Sequence, residues 1–303
     1  MSRSSRRARR RRSPLLFLLT LSLLVCFILL FFFLKKADAP SRNQSQTKNS
    51  TALSPAQTRT EQAQTTSEIK SQEISWTKQE EPVQIPILMY HAIHVMAPEE
   101  AANANLIVAP DLFESHIKRL KDEGYYFLTP EETYRALTEN SLPAEKVVWL
   151  TFDDSLWDFY DHAYPILTKY GAKATNNVIT GTVGNQGNLT VEEMQEMKEK
   201  GMSFQGHTVN HPDLEYSTPE SQTAELSDSK SYLDQTLSQD TIAVAYPAGR
   251  YSQTTLDITK SLHYKLGVTT NEGLASADNG LLSLNRVRIL PTTTADSLLA
   301  SIQ

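Results

Sequence analysis

The chain reads as an α/β protein whose last two-thirds or so form a distorted (β/α) barrel of seven or eight strands. Three observations predict this. From about Pro82 onward, short apolar runs alternate with amphipathic stretches that stop at Gly or Pro, the pattern of a mainly parallel sheet wrapped by helices. The connections are short. The residues that can do chemistry, His91, Asp153, Asp154, His207 and the Pro247-Ala248-Gly249 turn, fall at the carboxyl ends of predicted strands, where barrel enzymes keep their active sites.

Before the barrel come three segments. Residues 1–14 are a basic tail with Arg3, Arg6, Arg7 and Arg9 to Arg12, and residues 15–34 are an apolar run broken only by Thr20 and Ser22. Twenty residues at helical rise cover about 30 Å, a bilayer core. A basic flank stays cytoplasmic, so the expectation is a single-pass signal-anchor in the cell membrane with the remainder extracellular. Residues 35–80, rich in Ser, Thr and Gln with little apolar periodicity, are expected to be a flexible linker. The barrel domain is assigned to 81–303.

The domain's elements follow in order. Ile85–His91 is the first strand. Asp111–Glu123 is a helix with Asp111 as cap and Gly124 as stop. A short strand covers Tyr125–Leu128, and the next helix opens with Thr129 as cap and Pro130 at its first position. Val147–Phe152 is a continuous apolar run, as a buried parallel strand requires. Helix 160–170, strand 173–180, a helix from Thr190 with a capping box to Glu193, and strand 202–205 lead into Gly206-His207. Helix 219–237, strand 241–246, helix 254–261, strands 266–270 and 284–290, and helix 294–302 complete the chain.

Charge is unevenly spread. Residues 1–36 hold seven Arg and two Lys and no acid, so 37–303 carry 20 basic against 35 acidic residues, a net −15. That argues against a nucleic-acid partner for the main body. The one cysteine, Cys26, lies in the apolar run, which excludes an internal disulfide and a cysteine-based zinc site.

Two clusters carry the chemistry. Thr151-Phe152-Asp153-Asp154 ends a buried strand in two carboxylates that are not easily ionised together without a cation or proton between them. About fifty residues later, Gly206-His207-Thr208-Val209-Asn210-His211-Pro212 sets two imidazoles four apart on a curled loop, because Pro212 turns His211 away from helical angles. Two His and one carboxylate are a catalytic zinc set with one open position. The same donors suit Co, Mn, Ni or Fe. If the metal takes one Asp, the other is free as a base.

These motifs resemble the polysaccharide deacetylase family, the carbohydrate esterases with a NodB-homology domain. Pro86-Ile87-Leu88-Met89-Tyr90-His91 and Tyr246-Pro247-Ala248-Gly249 are similar to the branch that includes poly-N-acetylglucosamine deacetylases. The resemblance implies a divalent metal, most simply Zn, and hydrolysis of N-acetyl groups on a polysaccharide such as peptidoglycan or poly-N-acetylglucosamine. It implies Asp153 as general base, Asp154, His207 and His211 as metal ligands, and the Ala248 backbone N–H as oxyanion donor. Four departures stand out. Ser155 replaces the usual Gly, which is expected to narrow the mouth. The arginine that steadies the base would fall at Ala245, so Arg286 or Arg288 is the expected substitute; Arg286 is also assigned to the substrate surface. Ala248 replaces an aromatic residue. The Leu-x-His motif that supplies the acid is not evident, and His91 takes its place. Trp157 and Tyr251 are the expected sugar-stacking residues, with Trp149 assigned to the core. Two other readings compete: a catalytically silent wall-binding module, motivated by the missing arginine and acid, and a metallopeptidase or amidase, for which the chain lacks a His-Glu-x-x-His helix.

Overall fold

The computed structural model describes residues 74–303. The basic tail, the apolar run and most of the linker therefore lie outside the described residues. Among the described residues no helix is long and apolar enough to cross a membrane.

In chain order the strands are β1 Thr77–Lys78, β2 Ile87–Tyr90, β3 Tyr126–Phe127, β4 Ser141–Leu142, β5 Val147–Phe152, β6 Thr175–Val178, β7 Ser203–Gly206, β8 Ala243–Ala245, β9 Leu266–Glu272 and β10 Leu284–Arg288. The α-helices are α1 Pro110–Asp122, α2 Pro130–Glu139, α3 Tyr164–Tyr170, α4 Val191–Glu199, α5 Pro219–Leu237, α6 Gln253–Ser261 and α7 Ala295–Ser301. Seven parallel strands run in the order β2-β10-β9-β8-β7-β6-β5, and pairing of β2 with β5 closes the ring. The short β3 pairs with β5 outside the ring. The expected seven or eight strands thus resolve into a seven-stranded barrel and one outrigger.

Strand alternation decides what faces inward. Ile87, Trp149, Ala243, Ala245, Leu266, Val268 and Leu284 come from different sides of the ring and pack into one cluster, so they fill the barrel. Trp149 is fully buried and donates its indole N–H to Thr175 Oγ1 at 2.8 Å, the core role expected of it. The alternate residues Leu88, Tyr90, Val148, Leu150, Phe152 and Phe204 pack outward against the helices. Counting on by two from Trp149 and Thr151 brings Asp153 to the inner face at the strand's exit.

Local expectations hold where the cap chemistry is explicit. Thr129 and Thr190 each close a capping box, with Glu132 and Glu193. Three boundaries differ. Helix α1 starts at Pro110, one residue before the expected cap, because Pro fits the first helical position and no side chain caps it. The expected helix 160–170 begins instead as a π-helical turn, Phe159–Ala163. The folded part also reaches back into the segment assigned to the linker: Thr77–Lys78 pairs antiparallel with Ser141–Leu142, and Trp76 stacks under the Arg135 guanidinium, 4.4 Å from the ring centre.

Candidate active site

Strand β5 leads directly into Asp153, which is 3% exposed. Its Oδ1 accepts from Asn177 Nδ2 at 2.8 Å and from Arg286 at 2.9 Å, and its Oδ2 accepts from the second terminal nitrogen of Arg286 at 2.7 Å. Arg286 is itself fully buried, and its Nε donates to the Thr269 carbonyl. Burial alone would push the Asp153 carboxyl up. The Arg286 guanidinium, with His207 and His91 near by, instead holds it well below the usual carboxylate range. Arg286, not Arg288, is therefore the arginine on this carboxylate. Its assignment to the substrate surface is corrected by the same geometry: a side chain with no exposed area and all three nitrogens engaged has nothing left to offer a ligand.

The chain then turns sharply. Asp154 (φ 77°) and Ser155 (φ 50°) both occupy the left-handed region, which costs a non-glycine residue energy. The turn swings the Asp154 carboxylate away from Arg286 and onto two imidazoles. Asp154 Oδ1 lies 3.4 Å from His207 Nε2 and 3.8 Å from His211 Nε2, and the three donor atoms lie within 4.8 Å of one another. Ligands about 2.0–2.2 Å from one ion sit roughly 3–3.5 Å apart, so the donors are close to the spacing a single cation needs. Ser155 is fully buried, so it does not narrow the mouth as expected; what it changes is the backbone strain of the turn.

His207 follows β7, and its Nδ1–H donates to the Ala245 carbonyl at 2.7 Å. That bond leaves Nε2 with its lone pair toward Asp154, the orientation a metal ligand requires. Burial works against charge on His207, but Asp154 and Asp153 raise its affinity for a proton; the field that attracts a proton here attracts a cation equally. The loop that follows is curled as Pro212 predicted, with Thr208 (φ 64°) and His211 (φ 56°) left-handed. Thr208 Oγ1 accepts from the His211 N–H at 3.0 Å. A residue the sequence did not single out, Glu225 of α5, accepts from the Val209 and Asn210 N–H groups at 2.8 Å and from the Asn210 amide at 2.7 Å. Behind the loop, a Cβ at Gly181 would come within 2.6 Å of the Val209 carbonyl.

His91, at the exit of β2, places Nε2 4.0 Å from Asp153 Oδ2. Burial lowers its proton affinity, and the two aspartates partly restore it. It shares a cavity of ≈ 400 Å³ with Asp154 and Trp157. Ala248 adopts φ 51° in the Pro247–Gly249 turn. A Cβ at Gly249 would meet Thr270 Oγ1 at 2.2 Å, so this turn needs glycine there. Trp157 is 40% exposed. Tyr251, expected beside it as a second stacking surface, instead packs half-buried on Tyr246 with ring centres 5.2 Å apart and does not line the cavity. Asn177, like Glu225, was not anticipated. Its signal was present, as the polar pair Asn176-Asn177 interrupts a strand buried at every position.

The sequence model of the polysaccharide deacetylase family matches residues 140–267. The Bacillus subtilis (strain 168) protein YxkH, provisionally named a polysaccharide deacetylase, is 42% identical over 229 residues, 76% of this chain and 80% of its own. A poly-beta-1,6-N-acetyl-D-glucosamine N-deacetylase of Staphylococcus aureus is 30% identical over 199 residues, covering 61% of this chain and 68% of that one. Among solved structures, the Streptococcus pyogenes deacetylase PplD in complex with acetate is similar at a TM-score of 0.72 and 68% identity, over 74% of this chain and 100% of that one.

Proposed function

The chain belongs to the polysaccharide deacetylase family, and we propose that it removes N-acetyl groups from a cell-surface glycan by metal-dependent hydrolysis with Asp153 as general base. One observation carries this reading. Two adjacent carboxylates are divided between two environments, Asp153 on a buried guanidinium and Asp154 on two imidazoles. Neighbouring carboxylates held by different partners can take different roles.

Asp154, His207 and His211 would hold a divalent cation, with Zn the simplest match and Co, Mn, Ni or Fe compatible with the donors. When bound, such an ion acidifies water and polarises the acetamide carbonyl. The chain's own residues do the rest. Asp153, kept ionised by Arg286 and aligned by Asn177, takes the proton of the attacking water. The Ala248 N–H is the candidate donor to the developing oxyanion. His91, within reach of Asp153 and open to the cavity, is the candidate donor to the leaving amine. Acetate and a free amino sugar are the products, and the S. pyogenes relative was solved with acetate bound.

The glycan is proposed to be peptidoglycan or poly-N-acetylglucosamine. The second is supported by the name of the S. aureus relative. The first is supported by the basic tail and apolar run at residues 1–34, which also motivate a membrane-anchored, extracellular placement. The silent-module reading loses one of its two motives, since Arg286 occupies the role left empty at Ala245. The test is acetate release from purified wall, poly-N-acetylglucosamine and chito-oligosaccharides with added Zn or Co, abolished by a chelator. No release from any of these with several metals would overturn the reading.

A further inference from the structure

The cavity beside His91 has a wall that the reaction chemistry does not use. After β2 the chain leaves the barrel, forms a 3₁₀ segment at Pro98–Leu106, and returns. Both ends are strapped down. At the far end Ala92 and Ile107 form a parallel bridge, with the Ala92 N–H on the Leu106 carbonyl and the Val108 N–H on the Ala92 carbonyl, each at 3.0 Å. At the near end Glu100 grips His94: both carboxylate oxygens lie 3.1 Å from His94 Nε2, and Oε2 also accepts from the Ala97 N–H at 2.7 Å. The other imidazole nitrogen donates to Asp158 Oδ2 at 2.6 Å, and that same oxygen accepts from the Ile93 N–H at 2.7 Å. Asp158 is fully buried, so this is a fixed anchor. Flanked by two carboxylates, the imidazole keeps its proton more firmly than burial alone would allow.

The anchor also sets an aromatic surface. The His94 ring lies nearly parallel to the Trp157 indole, centres 5.9 Å apart and planes 21° apart, and His162 meets the indole edge-on at 5.4 Å. An indole fixed on one face and one edge, yet 40% exposed, is a preorganised platform for the apolar face of a pyranose. Trp157 borders two hollows. The inner one, ≈ 400 Å³, reaches back to His91 and Asp154 and is also lined by Asn103. The outer one, ≈ 480 Å³, is lined by Val95, Pro110 and His162. Both volumes fall in the range of about 300–1,000 Å³ typical of small-ligand sites. Val95 and Met96, next to the anchor, are exposed apolar side chains.

We propose that the 98–106 segment, locked by Glu100 on His94, is one wall of a sugar subsite whose floor is Trp157, and that it takes the pyranose adjoining the reacting N-acetyl sugar, with the chain continuing past the indole into the outer hollow. Asn103, in the lining of the same cavity, offers a polar contact. Glu100 and His94 are positioning residues that act through Trp157 and the wall. The proposal deepens the deacetylase reading and rests on it for the identity of the sugar as part of an N-acetylated glycan.

The test uses the full chain with β-linked N-acetylglucosamine oligomers of one to four units. Binding is followed by tryptophan fluorescence, which needs no turnover; Trp149 is fully buried and Trp76 lies at the β1–β4 sheet, so Trp157→Phe identifies the responding indole. Oligomers should quench more strongly than the single sugar. Glu100→Ala should reduce the advantage of the tetramer over the monomer in kcat/KM about tenfold, through KM rather than kcat, whereas Glu100→Gln, which keeps an acceptor for His94, should retain most of it. Equal losses at every length, or an unchanged length preference in Glu100→Ala, would overturn the subsite. Length-dependent quenching that Glu100→Ala abolishes, without acetate release from any oligomer, would uphold the subsite and count against the hydrolytic reading alone. No length-dependent quenching at all would overturn the subsite whatever the turnover.

Discussion

Arg286 meets Asp153 through both of its terminal nitrogens, at 2.9 and 2.7 Å, with neither side chain more than 3% exposed. The two residues are 133 positions apart. Their pairing is what lets one of two neighbouring carboxylates stay ionised in the barrel mouth while its neighbour is left for a cation.

Removing that arginine should therefore do two things. Breaking a buried pair costs about 3–5 kcal/mol because a charge is stranded, so Arg286→Met should lower thermal stability markedly. The pH dependence should change as well. The folded-state carboxyl of Asp153 lies below its unfolded value, so its contribution to stability is complete above the unfolded pKa and is lost as pH falls through the folded one. Without Arg286, burial dominates and the carboxyl rises. The acid limb of the rate profile should then shift to higher pH. An acid limb that stays in place would show that Asp153 is not the group it reports.

The division of roles between the two aspartates predicts a split outcome. Asp153→Asn should retain bound metal, measured by elemental analysis after dialysis, while turnover falls roughly 10²–10⁴-fold. Asp154→Asn should lose metal. Release of the metal by Asp153→Asn would reverse the assignment.

Glu225 holds the Val209 and Asn210 amides and so shapes the loop between His207 and His211. Glu225→Ala should weaken metal binding by about 10–100-fold, as loss of outer-shell support typically does, with little change in kcat at saturating metal. Competition with a chromophoric chelator measures this directly, and unchanged affinity would remove Glu225 from the positioning set.

If His91 protonates the leaving amine, His91→Asn should depress hydrolysis of an acetamide far more than that of a 4-nitrophenyl acetate ester, whose leaving group needs no proton. Equal depression of both would point to a binding or structural role.

A chain beginning at residue 74 should fold and remain soluble, because the described residues include their own barrel, outer helices and the β1–β4 sheet. One beginning at residue 81 loses β1 and the Trp76–Arg135 contact, and it should melt at a lower temperature. Identical melting curves would return residues 74–80 to the linker.

The residues themselves determined the alternation of strand and helix, the capped helix starts at Thr129 and Thr190, the carboxylate pair at a strand exit and the histidine pair on a curled loop. Each is written in neighbours a few positions apart, and period-two or period-3.6 patterns are local physics. Only the tertiary structure decided which arginine serves Asp153, that Asn177 and Glu225 support the site, that Tyr251 turns to Tyr246, and that His94 locks Trp157 in place. It also set the barrel at seven strands, with Tyr126–Phe127 left outside the ring. The Arg286–Asp153 pairing depends on closure of the ring, with Ile87–Tyr90 bridging the Leu284–Arg288 strand and Val147–Phe152, which brings side chains 133 positions apart together. No nearest-neighbour preference encodes that meeting; it follows from shape and packing once every strand is in place.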